Sequence, residues 1–290
     1  MKKMFSLLMV LCLACVSVYA QDAKTEEVAV AKEEKNWSVN FSLTLANKYV
    51  TDAHVNTDGL MLFPDLSVSF YGAFVGIWGA FDLNKWNDEQ GIDRFNFEEV
   101  DYYAGYGYTF EDIPGVSSIS ITGTYFYYDY PHRAGAHAFG AVWDRWDEEA
   151  PRNKITLDVC TGSIAETGIT AGATLEWLYD HRDGCNKHWG YGFDFYAKKG
   201  FAIAAISEKL TFDNKIDLFV FNHSYSWRRR GVAAFQYTAA LNYACCDNVS
   251  FGPFASFMWQ LEKRAREEAK ANNAQEPFDT LFGFAVNAAF

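Results

Sequence analysis

Apolar and polar residues alternate along the segment that begins at position 37. One parity holds apolar side chains and the other holds small or polar ones, as in Trp37, Val39, Phe41, Leu43 and Leu45 against Ser38, Asn40, Ser42, Thr44 and Ala46. Successive side chains of a β-strand point to opposite faces of its sheet. The pattern therefore predicts a strand with one apolar and one polar face.

The last segment, from Thr280 to Phe290, has the same two-residue period. Phe282, Phe284, Val286, Ala288 and Phe290 share one parity, whereas Gly283, Ala285, Asn287 and Ala289 share the other. A segment of about 11 residues is long enough for a tilted strand to cross a hydrocarbon layer. An amphipathic final strand that ends on an aromatic residue resembles the C-terminal signal of bacterial outer-membrane β-barrels. This resemblance implies that the barrel-assembly machinery recognises the strand ending in Phe290.

Ten further segments between these two favour strands. The predicted strands cover about 37–46, 62–71, 73–83, 99–110, 117–129, 155–162, 169–179, 189–206, 216–225, 232–244, 250–261 and 280–290. Connections after odd-numbered strands, such as 51–59, are mostly long and polar, and those after even-numbered strands are mostly short. This alternation is typical of bacterial outer-membrane barrels with both termini in the periplasm.

The sequence thus predicts an all-β protein, a transmembrane antiparallel up-and-down β-barrel of about 12 strands. In lipid, every backbone donor and acceptor needs a partner within the protein, so the sheet has to close. Ten or 14 strands are alternatives, because Lys198, Lys199 and Gly200 interrupt one pattern and residues 216–223 fit either parity. A soluble β-sandwich is another alternative.

The N-terminus favours an exported protein. Lys2 and Lys3 precede the apolar segment 4–18, and Val18 and Ala20 are suited to a cleavage site before Gln21. We predict a cleaved signal peptide at 1–20, a flexible periplasmic leader at 21–35 and the barrel at 36–290. The apolar segment is short for a membrane anchor, and the alternative of a lipoprotein signal at Cys15 lacks the usual apolar residue three positions earlier. No pairing is predicted for Cys160, Cys185, Cys245 and Cys246.

Composition agrees with a membrane barrel and argues against nucleic acid. Aromatic residues make up 18% of the chain, yet mean hydropathy is −0.16, as expected when only every second residue faces lipid. The formal charge is −12, and removing Lys2 and Lys3 with the signal makes it −14. Nucleic-acid binding needs a basic face, so no such partner is expected.

The first four strands resemble an uncharacterised family of conserved hypothetical outer-membrane β-barrel proteins from Gram-negative bacteria. The resemblance covers roughly residues 38–108 and implies a location in the outer membrane without an assigned activity. The family often has Arg-Gly after the Tyr-Val pair, where this chain has Thr51, Asp52, Ala53 and His54. The matching segments are 47–50, Pro64 with 66–71, 76–80 and 99–106.

Charged and aromatic residues on the predicted inward faces are the candidates to line a lumen: Trp78, Asp101, Tyr103, Asp158, Glu176 and Asp194. A charge facing lipid at mid-depth is costly, so the carboxylates should point inward. They would line a cation-preferring path, or pair with Lys198 and tyrosine hydroxyls. Twelve tilted strands give a cylinder roughly 24 Å across with about 10 Å of lumen, unless Phe74, Trp78 and Tyr103 fill it.

Aromatic residues near predicted strand ends are candidates for two girdles at the membrane interfaces. They are Trp37, Tyr49, Tyr71, Tyr128, Tyr130, Trp177, Tyr179, Trp189, Tyr225 and Trp259. Ordinary aromatic core packing in a soluble sheet is the alternative for these residues.

The leading functional hypothesis is an outer-membrane channel or transporter for small solutes with a partly acidic lumen. The alternative is a structural or surface-interaction barrel with a plugged lumen. Outer-membrane lipid and lipopolysaccharide are the expected surroundings, and the basic tip 228–230 either touches lipopolysaccharide or is solvated.

The remaining chemistry-bearing residues predict neither a metal, a cofactor nor an enzyme. His181, Cys185 and His188 share one loop, but their spacing fits no standard metal site, and a solvated loop is favoured. Outer-membrane phospholipases are twelve-stranded barrels with a His-Ser-Asn set. Their motif is not matched here, and His223 with Ser224 supplies no third group to hold a nucleophile and base together.

Overall fold

The computed structural model describes residues 36–51, 54–83, 97–129, 152–180, 189–226, 229–263, 266 and 278–290. The predicted signal peptide and leader, 1–35, lie outside this set. The described strands are β1 Trp37–Thr51, β2 His54–Phe70, β3 Ala73–Asp82, β4 Phe97–Glu111, β5 Ser118–Asp129, β6 Arg152–Thr161, β7 Thr170–Asp180, β8 Trp189–Ala202, β9 Leu210–Ser226, β10 Arg229–Cys246, β11 Val249–Gln260 and β12 Phe278–Ala289. A single 3-10 turn, Ala165–Thr167, lies between β6 and β7.

The strands form one closed antiparallel barrel in which each strand pairs with its neighbours in sequence and β1 pairs with β12. Val39 and Phe290 exchange two backbone hydrogen bonds at this closure, of 3.0 and 2.9 Å. Closure leaves no sheet edge with unpaired backbone groups. The predicted twelve-stranded up-and-down barrel is therefore confirmed, and ten strands, 14 strands and a sandwich are not what the chain forms. No helix among the described residues is long and apolar enough to span a membrane.

One face of the sheet carries large apolar side chains that are exposed to the surroundings. They recur at every second position of neighbouring strands, among them Leu66, Val68, Val75, Ile77, Tyr106, Tyr108, Ile121, Tyr125, Leu157, Val159, Phe195, Ile216, Phe282 and Phe284. Wholly buried apolar side chains are few and lie on the opposite, inward face, as Met61 and Met258 do. An apolar outer wall of this kind is typical of membrane barrels.

The eighth and ninth strands differ in extent from the prediction. β8 ends at Ala202, and β9 already begins at Leu210. The register pairs Tyr196 with Asp217 and Ala197 with Ile216. Ile216 is exposed on the outer face, whereas Asp217 is buried on the inner one. This register shows which face of β9 points inward. The sequence had left that question open, because apolar residues occur on both faces of β9.

The first hairpin is longer than predicted and bends into the barrel. β1 continues to Thr51 and β2 begins at His54, where the sequence had predicted a loop over 51–59. The β1–β2 register shifts between Ala46 and Lys48 and again between Tyr49 and Val50. β-Bulges of this kind bend a strand and redirect its side chains. As a result Tyr49 is buried inside the barrel.

The girdle prediction is wrong for Tyr49, and it is also wrong for Tyr128. Tyr128 pairs with Asp101 on the inner face, so neither tyrosine faces outward. Trp37, Tyr71 and Trp259 are exposed, as a girdle at a strand end requires. Tyr130 and the side chains of Tyr179, Trp189 and Tyr225 lie outside the described residues.

Candidate functional site: the barrel interior

All six candidate residues lie on the inward parity of their strands. Trp78 on β3 pairs with Asp101 on β4, and Tyr103 follows Asp101 on the same face. Asp158 on β6 pairs with Thr174 on β7, which in turn pairs with Asp194 on β8. Glu176 is two residues beyond Thr174. The structure thus gathers the six on one wall, from β3 to β8.

Further carboxylates share this inward face and were not among the candidates of the sequence analysis. The inward carboxylates include Asp65, Asp82, Glu99, Asp101, Asp158, Glu176, Asp194, Asp213, Asp217 and Asp279, and the inward lysines are Lys48, Lys154, Lys198 and Lys215. Among the described residues, negative groups therefore outnumber positive ones on the inward face. Rings of acidic side chains are the usual lining of cation-selective pores.

Hydrogen bonds hold several of these carboxylates in place. Asp158 accepts one from Thr174 Oγ1 at 2.7 Å and one from Tyr196 Oη, which lies 3.1 Å from both of its oxygens. Tyr103 Oη donates to Asp65 Oδ1 at 2.6 Å. The expected pairing with tyrosine hydroxyls is present, while the lysine beside Glu176 is Lys154, at 3.4 Å, and not Lys198.

Several inward rings lie flat on the wall because a glycine of the next strand makes room. An added Cβ at Gly76 would collide with the Tyr103 ring, and one at Gly105 would collide with the Phe74 ring. The same relation joins Gly172 to Tyr196 and Gly283 to Phe254. Large side chains therefore thicken the wall instead of extending across it, so Phe74 and Tyr103 do not act as plugs.

The first hairpin, by contrast, does cross the interior. Val55 at the start of β2 belongs to an apolar cluster on β9, β10 and β11, formed with Phe219, Phe221, Ala233, Ala234 and Met258. Those strands are three to five positions away from β2 around the barrel, so the contact spans the lumen. A second apolar cluster joins Tyr49, Met61 and Ala80 to Phe63 and Trp78, and Phe63 stacks on Trp78 at 5.6 Å.

Two polar contacts anchor the hairpin to the wall. The Tyr49 hydroxyl donates a hydrogen bond to Glu99 Oε2 on β4. Lys48 Nζ lies 2.7 Å from Asp279 Oδ1 on β12, and their side chains are only 13% and 10% exposed. Because both contacts are buried, they are stronger than similar contacts at a surface would be.

The other half of the interior, near the short turns, is polar and contains two cavities. One of about 330 Å³ is lined by Asn40, Ser42, Asp65, Ser67 and Asn287 among others. A second of about 460 Å³ is lined by Thr170, Lys198, Asp213, Lys215 and Thr238 among others. The interior thus has a polar half with space and an apolar half occupied by the first hairpin.

The missed residues differ in whether the sequence pattern could have identified them. Glu99 lies two positions before Asp101 on a strand whose parity was already assigned, so the same argument would have found it. Asp65 follows Pro64, in a segment where the alternation is imperfect. Lys48 has the inward parity of β1, so continuing that strand past Ala46 would have found it. Tyr49 has the opposite parity and is buried where the β1–β2 register shifts, which leaves no mark in the apolar pattern.

Other candidate residues lie partly or wholly outside the described set. His181, Cys185, His188 and Arg228 are outside it, and the side chains of His223 and Ser224 are too. Cys160, Cys245 and Cys246 are free thiols. In the part of the chain that the structure describes, no three His, Cys, Asp or Glu side chains are placed to hold a metal ion.

Comparison with known proteins finds similarity only among solved structures. No family model matches the chain, and no curated protein matches it. The NanC porin is 10% identical, with 86% of this chain and 98% of that chain covered and a TM-score of 0.47. The KdgM porin is 9% identical, with 87% and 99% covered and a TM-score of 0.44. The translocator domain of the autotransporter NalP from Neisseria meningitidis is 10% identical, with 96% of each chain covered and a TM-score of 0.44. The family membership suggested by residues 38–108 stays a prediction.

Proposed function

We propose that this barrel spans the outer membrane and is a gated channel for small solutes with a preference for cations. The apolar outer wall supports a lipid environment, because an exposed belt of this extent is unfavourable in water. The N-terminal signal pattern and the aromatic C-terminus support export and insertion by the barrel-assembly machinery. Both termini then face the periplasm, and the long connections face lipopolysaccharide outside the cell.

The observation that carries the proposal is the excess of carboxylates on the inward face. At least ten carboxylates face inward among the described residues, against four lysines. A narrow passage with low-dielectric walls focuses the field of such charges and raises the local concentration of cations. The same field lowers the local concentration of anions.

The first hairpin supplies the gate in this proposal. Its apolar residues occupy one half of the interior, and its polar attachments to the wall include the Tyr49–Glu99 and Lys48–Asp279 contacts. Each polar contact contributes about 1.5–3 kcal/mol, and the packing of Val55 against Phe219 and Phe221 adds to the free energy that holds the gate shut. Opening moves the hairpin away from β9–β11 and joins the two halves of the interior.

Conductance of the purified protein in planar bilayers tests the proposal. The informative variant replaces residues 49–57 by Asn-Gly, because Lys48 pairs with Asp58 and a two-residue turn of this sequence closes such a hairpin. We expect brief, infrequent cation currents from the wild type and sustained ones from the variant. The absence of current from both proteins would overturn the proposal.

A second candidate, a structural or surface-interaction barrel with a plugged lumen, is favoured by one observation. Val55 contacts the opposite wall, and a permanent contact of this kind blocks passage. The candidate predicts no solute uptake into liposomes by the wild type, even where the hairpin variant takes solute up. Uptake by the wild type rules it out.

A further inference from the structure

The hairpin between β10 and β11 carries two adjacent cysteines whose thiols lie close together. Cys245 and Cys246 are the last two residues of β10, and both are exposed free thiols. Their Sγ atoms are 3.9 Å apart. Successive side chains of a regular strand point to opposite faces of the sheet, so neighbouring residues of a strand do not normally bring their side chains together.

An irregularity of the hairpin explains why these two thiols meet. Ala244 pairs with Ser250 on the inward face of the barrel. Cys246 pairs with Val249, which precedes Ser250 on β11 and has the outward parity. Cys245 is therefore an extra residue of β10, and it also points outward because it follows Ala244. A β-bulge of this kind redirects side chains, and here it places both thiols on the same face.

The distance between the two sulfurs matches that of two thiolates bound to one tetrahedral metal ion. A Zn–S bond is about 2.3 Å long, and tetrahedral coordination then separates the two sulfurs by about 3.8 Å. The observed separation of Cys245 Sγ and Cys246 Sγ is 3.9 Å. The pair can therefore chelate such an ion without a change in the backbone of the hairpin.

A disulfide between the two cysteines is the competing chemistry in an oxidising compartment such as the periplasm. It requires the sulfurs to approach to about 2.0 Å, and the Cα atoms of bridged cysteines are usually at least about 4.4 Å apart. Adjacent Cα atoms are only about 3.8 Å apart across a trans peptide. Bridging Cys245 to Cys246 would therefore strain the hairpin, and strained disulfides are easily reduced.

We propose that Cys245 and Cys246, called here the vicinal thiol site, bind a thiophilic metal ion, with zinc as the best match in geometry. Soft thiolate ligands select ions such as zinc and copper(I), whereas magnesium and calcium prefer oxygen ligands. Binding forms two metal–sulfur bonds and releases the two thiol protons to water, so it needs neither an oxidant nor a reductant. The inference goes beyond the proposed channel function and does not depend on it.

The vicinal thiol site is open to water. Both thiols are exposed, and Cys246 and Asp247 are among the residues that line the cavity of about 330 Å³. Among the described residues, no third His, Cys, Asp or Glu side chain is placed to join the two thiolates. Two positions of a tetrahedral ion are therefore left for water or for a further ligand, as in zinc sites that keep an open position.

Calorimetric titration of the detergent-purified, reduced full barrel with zinc tests the site. The variant Cys245→Ser/Cys246→Ser gives the background from all other residues, and the measured quantity is the additional binding by the wild type. We expect one additional zinc ion per barrel. Loss of an outer-shell partner of a metal ligand typically costs about 10- to 100-fold in affinity. Loss of a direct ligand in Cys245→Ser or in Cys246→Ser should therefore cost about 100-fold or more.

Two further variants separate the geometry of the site from the number of thiols. Ala244→Cys/Cys245→Ser keeps two cysteines in the hairpin but places them on opposite faces of β10, so the additional zinc binding should be lost. Cys160→Ser removes the free thiol of β6 and should bind zinc like the wild type. Circular dichroism establishes that each variant is folded.

Several results would overturn the inference. They are equal zinc binding by the wild type and the double serine variant, equal binding by Ala244→Cys/Cys245→Ser, and displacement of the bound zinc by magnesium at the same concentration. A disulfide between Cys245 and Cys246 that persists in a glutathione buffer, detected by mass spectrometry after thiol labelling, would do so too. Zinc binding by a barrel that passes no current removes the channel and keeps the vicinal thiol site.

Discussion

The hydroxyl of Tyr49 donates a hydrogen bond to the carboxylate of Glu99, joining strands that lie three positions apart in the barrel. The bond crosses the inside of the barrel and so connects strands that are not neighbours in the sheet. Tyr49 lies between two register shifts of the β1–β2 pair, at each of which β2 has the extra residue, and its side chain is buried in the barrel. The first hairpin is therefore part of the lumen and not an external loop.

Removing this one bond should favour the open state. A hydrogen bond to a charged acceptor contributes about 1.5–3 kcal/mol, so Tyr49→Phe should raise the ratio of open to closed channels about 10- to 100-fold. Single-channel recordings measure the ratio directly. Tyr71→Phe, at the exposed β2–β3 turn, is the control and should gate like the wild type. Unchanged gating by Tyr49→Phe would show that the bond does not hold the hairpin.

The second anchor predicts non-additive stability effects. Lys48→Met leaves Asp279 buried with its nearest cation removed, so the free energy of unfolding should fall by about 3–5 kcal/mol. The double variant Lys48→Met/Asp279→Leu removes both charges and should recover most of this loss. Urea titration of the refolded barrels gives the three values. A double variant that loses as much as the sum of the two single variants would mean that the charges do not interact.

The orientation of the wall can be tested with a matched pair of lysines. Leu157 is exposed on the outer face, so Leu157→Lys places a charge in lipid and should destabilise the barrel by about 2–4 kcal/mol at mid-depth. Thr122 lies on the inner face, opposite Asp158, and Thr122→Lys should have a much smaller effect. Urea unfolding in phospholipid bilayers compares the two. The reverse order would mean that the faces are exchanged.

Closure between β1 and β12 predicts a specific disulfide. Val39 and Phe290 exchange both hydrogen bonds, so Ser42 and Asn287, three steps along the same register, form a non-hydrogen-bonded pair with close Cα atoms. With the native cysteines replaced by serine, Ser42→Cys/Asn287→Cys should oxidise to a disulfide. In Ser42→Cys/Ser250→Cys, β12 separates the two cysteines, so this variant should stay reduced. Mass spectrometry of thiol-labelled protein distinguishes the results.

Much of the barrel is predictable from the sequence, because lipid favours an apolar side chain at each outward position independently of the residues elsewhere in the chain. The parities of β1, β3, β4 and β12 follow from alternation alone, and with them the inward positions of Trp78, Asp101 and Tyr103. β9 resists the same argument, because Phe219 and Phe221 are apolar on the inward face while Ile216 is apolar on the outer one. Its inward phenylalanines pack against Val55, a contact that no local pattern contains.

The interior arrangement is less predictable because it depends on long-range contacts. Lys48 meets Asp279 across 231 positions of sequence, and the first hairpin bends at bulges that the sequence does not signal. The charge of each inward residue is readable from the sequence, but its partner is not. The sequence therefore predicted an acidic lining and left the hairpin that crosses it undetected.

The central claim is that the inward face forms a cation-preferring path once the first hairpin is withdrawn. The reversal potential across a potassium chloride gradient tests it most directly, measured on the variant with residues 49–57 replaced by Asn-Gly. The account predicts a potential of the sign set by potassium permeation, reduced in a variant that also carries Asp158→Asn and Asp194→Asn. A chloride-selective potential, or no current at all from a folded and inserted barrel, would contradict it.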